Sequence, residues 1–226
     1  MTDNSFSKLG GQCLIAGGII SFIPFFLQIF LGGPPPNNVN IFSHFANITA
    51  EGGSLSILYI IMGIFGTILI MHGISSLNSF LQEKQKDSLL GLGTFLFLVG
   101  QFLTIIAWSI DPAITIGRDT ADIGDMAVRQ MTMFMLVTPI AFLGVTIISI
   151  VLSNREFASP IYMKISALIF VIVIVLSLYT LFKLADTSTH TSGSTIVPLF
   201  ASFSIAQLVW LIWNIMVGSK MIKSNP

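Results

Sequence analysis

Charge is what this sequence has least of. Asp, Glu, Lys and Arg make up 9% of its 226 residues, against 54% apolar residues, and the mean hydropathy of +0.89 points the same way. A chain so poor in ionic side chains cannot clothe a folded surface in groups that water favours, which excludes a water-soluble globular enzyme. The ten Lys and Arg balance the ten Asp and Glu, so no basic excess exists to hold a phosphate backbone, and nucleic acid is excluded as a partner. Cys13 is the single cysteine, leaving no intrachain disulfide and no cysteine-rich metal site. Enzyme signatures are missing as well: no Gly-x-Ser-x-Gly elbow, no His-Glu-x-x-His, no paired intramembrane aspartates and no Walker loop. A non-catalytic protein without a cofactor is expected.

What the chain does have is a series of long uncharged windows. They run from Gly10 to Gly32, Ser54 to Gln82, Ser88 to Ile110, Gln130 to Asn154, Ile165 to Phe182 and Thr187 to Ser219. A helix rising ~1.5 Å per residue needs about twenty residues to cross a hydrocarbon layer of ~30 Å, and every window reaches that length once Tyr162 and the snorkelling Lys164 and Lys183 extend the fifth. Spanning strands would alternate lipid-facing and lumen-facing residues, whereas a run such as Ala167 to Leu178 is apolar on every face. The fold class expected is therefore all-α, a polytopic bundle of six transmembrane helices at about 10–32, 54–81, 88–110, 130–153, 162–183 and 195–219, forming one integral membrane domain over residues 1–226. The first window is too long for a cleaved signal core, and Gly33 followed by Pro34, Pro35 and Pro36 suits a helix stop with a stiff exit.

Lys and Arg resist translocation, so their distribution over the loops gives the sidedness. Lys8, Lys84, Lys86, Arg155, Lys164, Lys220 and Lys223 fall on one side, seven in all, and Arg118, Arg129 and Lys183, three, on the other. Both termini are expected to be cytoplasmic, in a multi-pass protein of the cell membrane. Glu51, Asp111, Asp119, Asp122, Asp125 and Asp186 then give the outer face a negative character. In the first outer loop Ile41, Phe42, Phe45 and Ile48 recur at helical spacing, which predicts a short helix on the headgroup boundary.

A polar group at bilayer depth is costly unless another group satisfies it, so the exceptions are informative. By helical rise His72 lies roughly 14 Å from the inner end of the second span, Gln101 about 20 Å into the third and Gln207 about 18 Å into the sixth, all at one depth. Thr94, Gln101, Thr104 and Trp108 share a stripe, as do Ser204, Gln207, Trp210 and Asn214, while His72 aligns with Ser75, Ser76 and Ser79. His72, Gln101, Gln207, Trp210 and Asn214 are thus candidates for a midplane ligand site or polar path, set against the ordinary role of such groups as interhelical glue. In the third outer loop Asp119, Asp122 and Asp125 step by three residues and offer oxygen ligands for a hard cation, or else complement the dipole of a helix start. Arg118 with Asp122, and Asp125 with Arg129, fall four apart if that segment is helical. Pro139 beside Thr138 predicts a kink in the fourth span, and Gly63, Gly66, Gly73, Gly93 and Gly100 predict close helix approaches.

Polar residues this sparse and connections this short favour an accessory or scaffolding component of a membrane assembly. Its expected associates are the lipid bilayer and either a larger membrane protein or a second copy. The alternative is a permease or channel for a small solute, using the layer shared by the second, third and sixth spans.

Overall fold

The computed structural model describes residues 3–32, 40–119, 122–186 and 193–224. The Gly33–Pro36 exit and the hydroxyl-rich stretch from Thr187 to Ser192 lie outside the described residues. Among those described, the chain forms helices and turns only: α1 (Asp3–Gly32), α2 (Ile41–Glu51), α3 (Ser54–Lys84), α4 (Ser88–Trp108), α5 (Asp111–Ile116), α6 (Ile123–Asn154), α7 (Pro160–Asp186) and α8 (Gly193–Lys223). Six segments are long and apolar enough to cross a bilayer, namely α1, α3, α4 with α5 behind it, α6, α7 and α8. The multi-pass helical architecture read from the uncharged windows is the one observed. Helices α1, α3, α6 and α7 overrun those windows, because a charged residue ends an apolar run without ending a helix, whereas α4 stops at Trp108, two residues short of its window. The fourth span starts about two turns earlier than expected, where the Asp122 carboxylate accepts the Gly124 and Asp125 amides at 3.1 and 3.3 Å and caps α6.

The six long helices form a ring in chain order. Each packs on the next, and α8 returns to α1. Lipid tails are as apolar as leucine, so hydrophobicity alone does not bring such helices together; close packing does. Two seams rest on missing side chains. On α1 and α3, a Cβ at Gly17 would stand 2.6 Å from the Gly66 carbonyl, and one at Gly66 would stand 2.7 Å from the Ser21 amide. On α4 and α6, a Cβ at Gly144 would strike the Phe97 amide, and one at Gly100 would strike the Ala141 amide. A third close approach joins the first helix to the last, where a Cβ at Gly11 would meet the Gly218 carbonyl at 2.6 Å. The start of α1 and the end of α8 therefore share one end of the ring, here called the terminal end.

The terminal end is tied by polar groups. Arg155, capping α6, donates to the Leu81 carbonyl at 3.1 Å, the Gln85 carbonyl at 3.0 Å and Asp87 Oδ2 at 3.0 Å. Asp87 in turn accepts the Leu89 and Leu90 amides at 2.9 and 3.1 Å as N-cap of α4. Gln82 clamps the same joint with both ends of its amide, donating to the Asp87 carbonyl at 2.7 Å and accepting the Asp87 amide at 2.8 Å. Burial acts to raise the Asp87 pKa, but the Leu90 amide, Arg155 and the Leu89 amide outweigh it, and the carboxyl is held below its ordinary value. Across the α6–α7 turn Glu156 adopts φ 50° while the Phe157 amide reaches back to the Leu152 carbonyl at 3.1 Å, the hydrogen-bond pattern of a left-handed helix stop. Phe157 is thereby buried against Phe80, over whose ring the Lys84 ammonium sits at 4.2 Å.

The opposite end carries α2 and α5. Asn40 caps α2 by accepting the Phe42 amide at 2.9 Å. The short helix expected there is present, but its apolar side does not lie on headgroups: Ile41, Phe42, Ala46 and Ala50 are buried against Ile114 of α5 and Ala127 of α6. Thr115 Oγ1 donates to the Thr49 carbonyl at 3.3 Å and fixes α2 to α5.

Candidate functional site

Beneath α2 the ring is hollow. A cavity of about 470 Å³ is walled by α1, α2, α3, α6 and α8, with Trp108 and Asp111 entering from the α4–α5 junction. That volume is in the range of small-molecule sites, ~300–1,000 Å³. Most of the wall is apolar, with Phe25, Phe45, Phe134, Phe200 and Phe203 among its residues. The Trp108 ring lies beside Gly63, its nearest atom 3.5 Å from where a Cβ would stand, an ordinary contact.

Aromatic side chains close the floor. Phe203 contacts Phe25, Phe134 and Phe142, with ring centroids 6.3, 5.2 and 5.6 Å apart. About two turns of α8 further toward the terminal end, Trp210 packs on Phe97 and Phe170 at 5.5 and 6.1 Å and stacks on Trp213 at 4.9 Å. Trp213 is wholly buried, and its indole donates to Ser149 Oγ at 3.0 Å. Rings from α4, α7 and α8 thus fill the middle of the bundle, as expected where aromatic side chains supply large rigid contact area.

The polar side chains of the wall include Ser21, Tyr59, Asp111, Gln130, Ser204 and Gln207. Ser21 gives its proton to the Gly17 carbonyl at 2.8 Å, and Ser204 gives its proton to the Phe200 carbonyl at 2.9 Å, so both present lone pairs to the space. Pro24, which lines the cavity within α1, lacks an amide and leaves the carbonyl four residues earlier without its helical donor. Asp111 supplies a carboxylate that is paired with no cation among the described residues.

The five candidates from the mid-bilayer stripes separate in space. Gln207 lines the cavity, and Trp210 belongs to the aromatic packing under it. Asn214 is fully buried one turn deeper, donating to the Trp210 carbonyl at 2.8 Å while its Oδ1 finds no partner among the described residues. His72 and Gln101 are half-buried on α3 and α4 and do not line the cavity. The loop carboxylates also part: Asp119 pairs with Arg118 at 3.5 Å on the surface, Asp122 caps α6, and Asp125 lies exposed in the first turn of α6. Because α5 ends at Ile116 and α6 begins at Ile123, Arg118 and Asp122 do not share a helix. Among the described residues no three His, Cys, Asp or Glu side chains converge as metal ligands would.

The sequence reading missed Tyr59, Gln130 and Ser21, and it placed Asp111 with the loop acids instead of the bundle interior. A signal for Asp111 was present. It directly follows an uncharged window, three residues after Trp108 and just before Pro112, with Asp87 and Arg118 as its nearest charged neighbours in sequence. No family model matches the chain, and neither the curated proteins nor the solved structures compared with it give a match.

Proposed function

We propose that this multi-pass membrane protein is a non-catalytic carrier of the permease class that takes a small, largely apolar solute into the cavity beneath α2. The cavity itself supports the reading. Two helix seams in the same molecule are packed to backbone contact, so a space of about 470 Å³ bounded by five helices is not a general looseness of the fold. Pro24, Pro139 and Pro198 lie within three of the wall helices, where a missing backbone hydrogen bond favours bending. In this account the aromatic floor is the closed gate. The excess of Lys and Arg at the terminal end supports a cytoplasmic position for that end, with the cavity on the outer side of a cell membrane.

The test is direct binding of tritiated neopentylbenzene to the purified full-length chain in detergent, with Ser204→Trp as the blocked control. Saturable binding that this variant loses while keeping its thermal unfolding transition is expected. Equal, non-saturating uptake by both proteins refutes the carrier reading. One observation favours the accessory reading: the terminal end is pinned by Arg155 and Gln82, which suits a fixed scaffold. A scaffold would co-purify with a larger membrane partner in mild detergent and would bind no probe.

A further inference from the structure

Resting on the reading of the cavity as a binding site, we infer the chemistry of what fills it. The occupant is an amphipathic monocation: its positive group lies against Asp111 and Trp108, and its apolar body lies among Phe45, Phe200 and Met131. Four observations converge on this. Asp111 is the only ionisable carboxylate or ammonium in the wall, and no cation of the protein neutralises it among the described residues. A positive ligand favours the ionised form of a carboxyl in a mostly apolar wall and is then attracted to it far more strongly than in water. The hydroxyls of Ser21 and Ser204 have spent their protons on their own helices, so at these two points the wall offers acceptors to a ligand that brings donors or bare positive charge.

The aromatic complement fits the same ligand. Trp108 lies three residues before Asp111 at the same junction, and Tyr59 stands in the wall contributed by α3. Indole and phenol rings hold ammonium groups through their negative faces, a contact that gains strength on desolvation. The charge of this end of the bundle agrees. It carries six carboxylates, Glu51, Asp111, Asp119, Asp122, Asp125 and Asp186, against Arg118, Arg129 and Lys183. Such an excess concentrates cations and repels anions around that end.

The experiment compares two probes of one shape, benzyltrimethylammonium and its neutral carbon isostere neopentylbenzene, each tritiated and bound to the full chain in detergent. The quaternary ammonium keeps its charge at every pH. Wild type is expected to bind the cation at least about tenfold more tightly than the isostere. Asp111→Asn should weaken cation binding at least about tenfold more than it changes binding of the isostere, erasing the preference, and Asp111→Glu should retain it. Neopentylbenzene bound saturably with no preference for the cation in wild type overturns the charge assignment and leaves the carrier reading standing. Saturable binding of neither probe overturns both. The wild-type comparison stands even if Asp111→Asn fails to fold.

Discussion

Replacing Arg155 with methionine keeps an unbranched apolar stem and removes the guanidinium. Three hydrogen bonds vanish with it, to the Leu81 and Gln85 carbonyls at the end of α3 and to the Asp87 carboxylate at the start of α4. The side chains of Arg155 and Asp87 are 15% and 26% exposed, so neither the gain from the pair nor the penalty for stranding one partner is negligible. At about 1 kcal/mol for each carbonyl bond and a further kilocalorie for the partly screened ion pair, the loss should be about 2–3 kcal/mol. The assay is reversible unfolding in mixed micelles at pH 7 and again on the acid side of pH 4. Asp87 has a folded pKa below its unfolded value, so its contribution is fully present above about pH 4 and drains away as pH falls through the folded value. Arg155 helps to depress that pKa, so Arg155→Met should show a shallower acid loss than wild type, and the gap between the two proteins should narrow at low pH by the ion-pair share of about 1 kcal/mol while the share of the carbonyl bonds persists. A variant within about 0.5 kcal/mol of wild type at pH 7, or an unchanged acid limb, refutes the assignment of Arg155 as the tie between α3, α4 and α6.

Two further outcomes follow from backbone geometry. Gly144→Ala places a methyl against the Phe97 amide and 2.7 Å from the Gly93 carbonyl, atoms that retreat only if α4 and α6 separate, so it should cost about 1–3 kcal/mol in the same unfolding assay. Gly91→Ala is the control, because its methyl would meet only Gln82 Nε2 at 3.7 Å, and it should be neutral or slightly stabilising. Glu156→Gly relieves a side chain held at φ 50° and should raise stability by about 0.5 kcal/mol, whereas an unchanged or lower midpoint would contradict the strain assigned to that turn.

The spans were legible because lipid imposes one rule on every residue within it. A window without charge from Ser88 to Ile110 needs no knowledge of its neighbours to be read as a helix. The start of α6 was less legible, since Asp125 and Arg129 interrupt hydropathy while the cap at Asp122 supports a helix across them. Glycine seams were foreseen as a class, but the pairing of Gly66 with Gly17 and of Gly100 with Ala141 depends on which helices are neighbours, and one sequence does not carry that. The cavity was the least legible feature. Helical rise gave His72, Gln101 and Gln207 a common depth, yet depth says nothing about azimuth around a ring, and only Gln207 reaches the hollow. Asp111 was counted among solvated loop acids because its charge suggested water, whereas the α4–α5 junction turns it into the wall.

The meeting of Gly11 with Gly218 has a bearing on how the molecule is made. While the ribosome is still at work, α1 can settle on α3 as soon as both have emerged, but its other flank waits for α8 to be synthesised. Until then the assembly is an open arc, with the small residues of α1 facing lipid or a chaperone along the side that α8 will later cover. Insertion machinery must therefore release the earlier helices without letting that flank find a substitute.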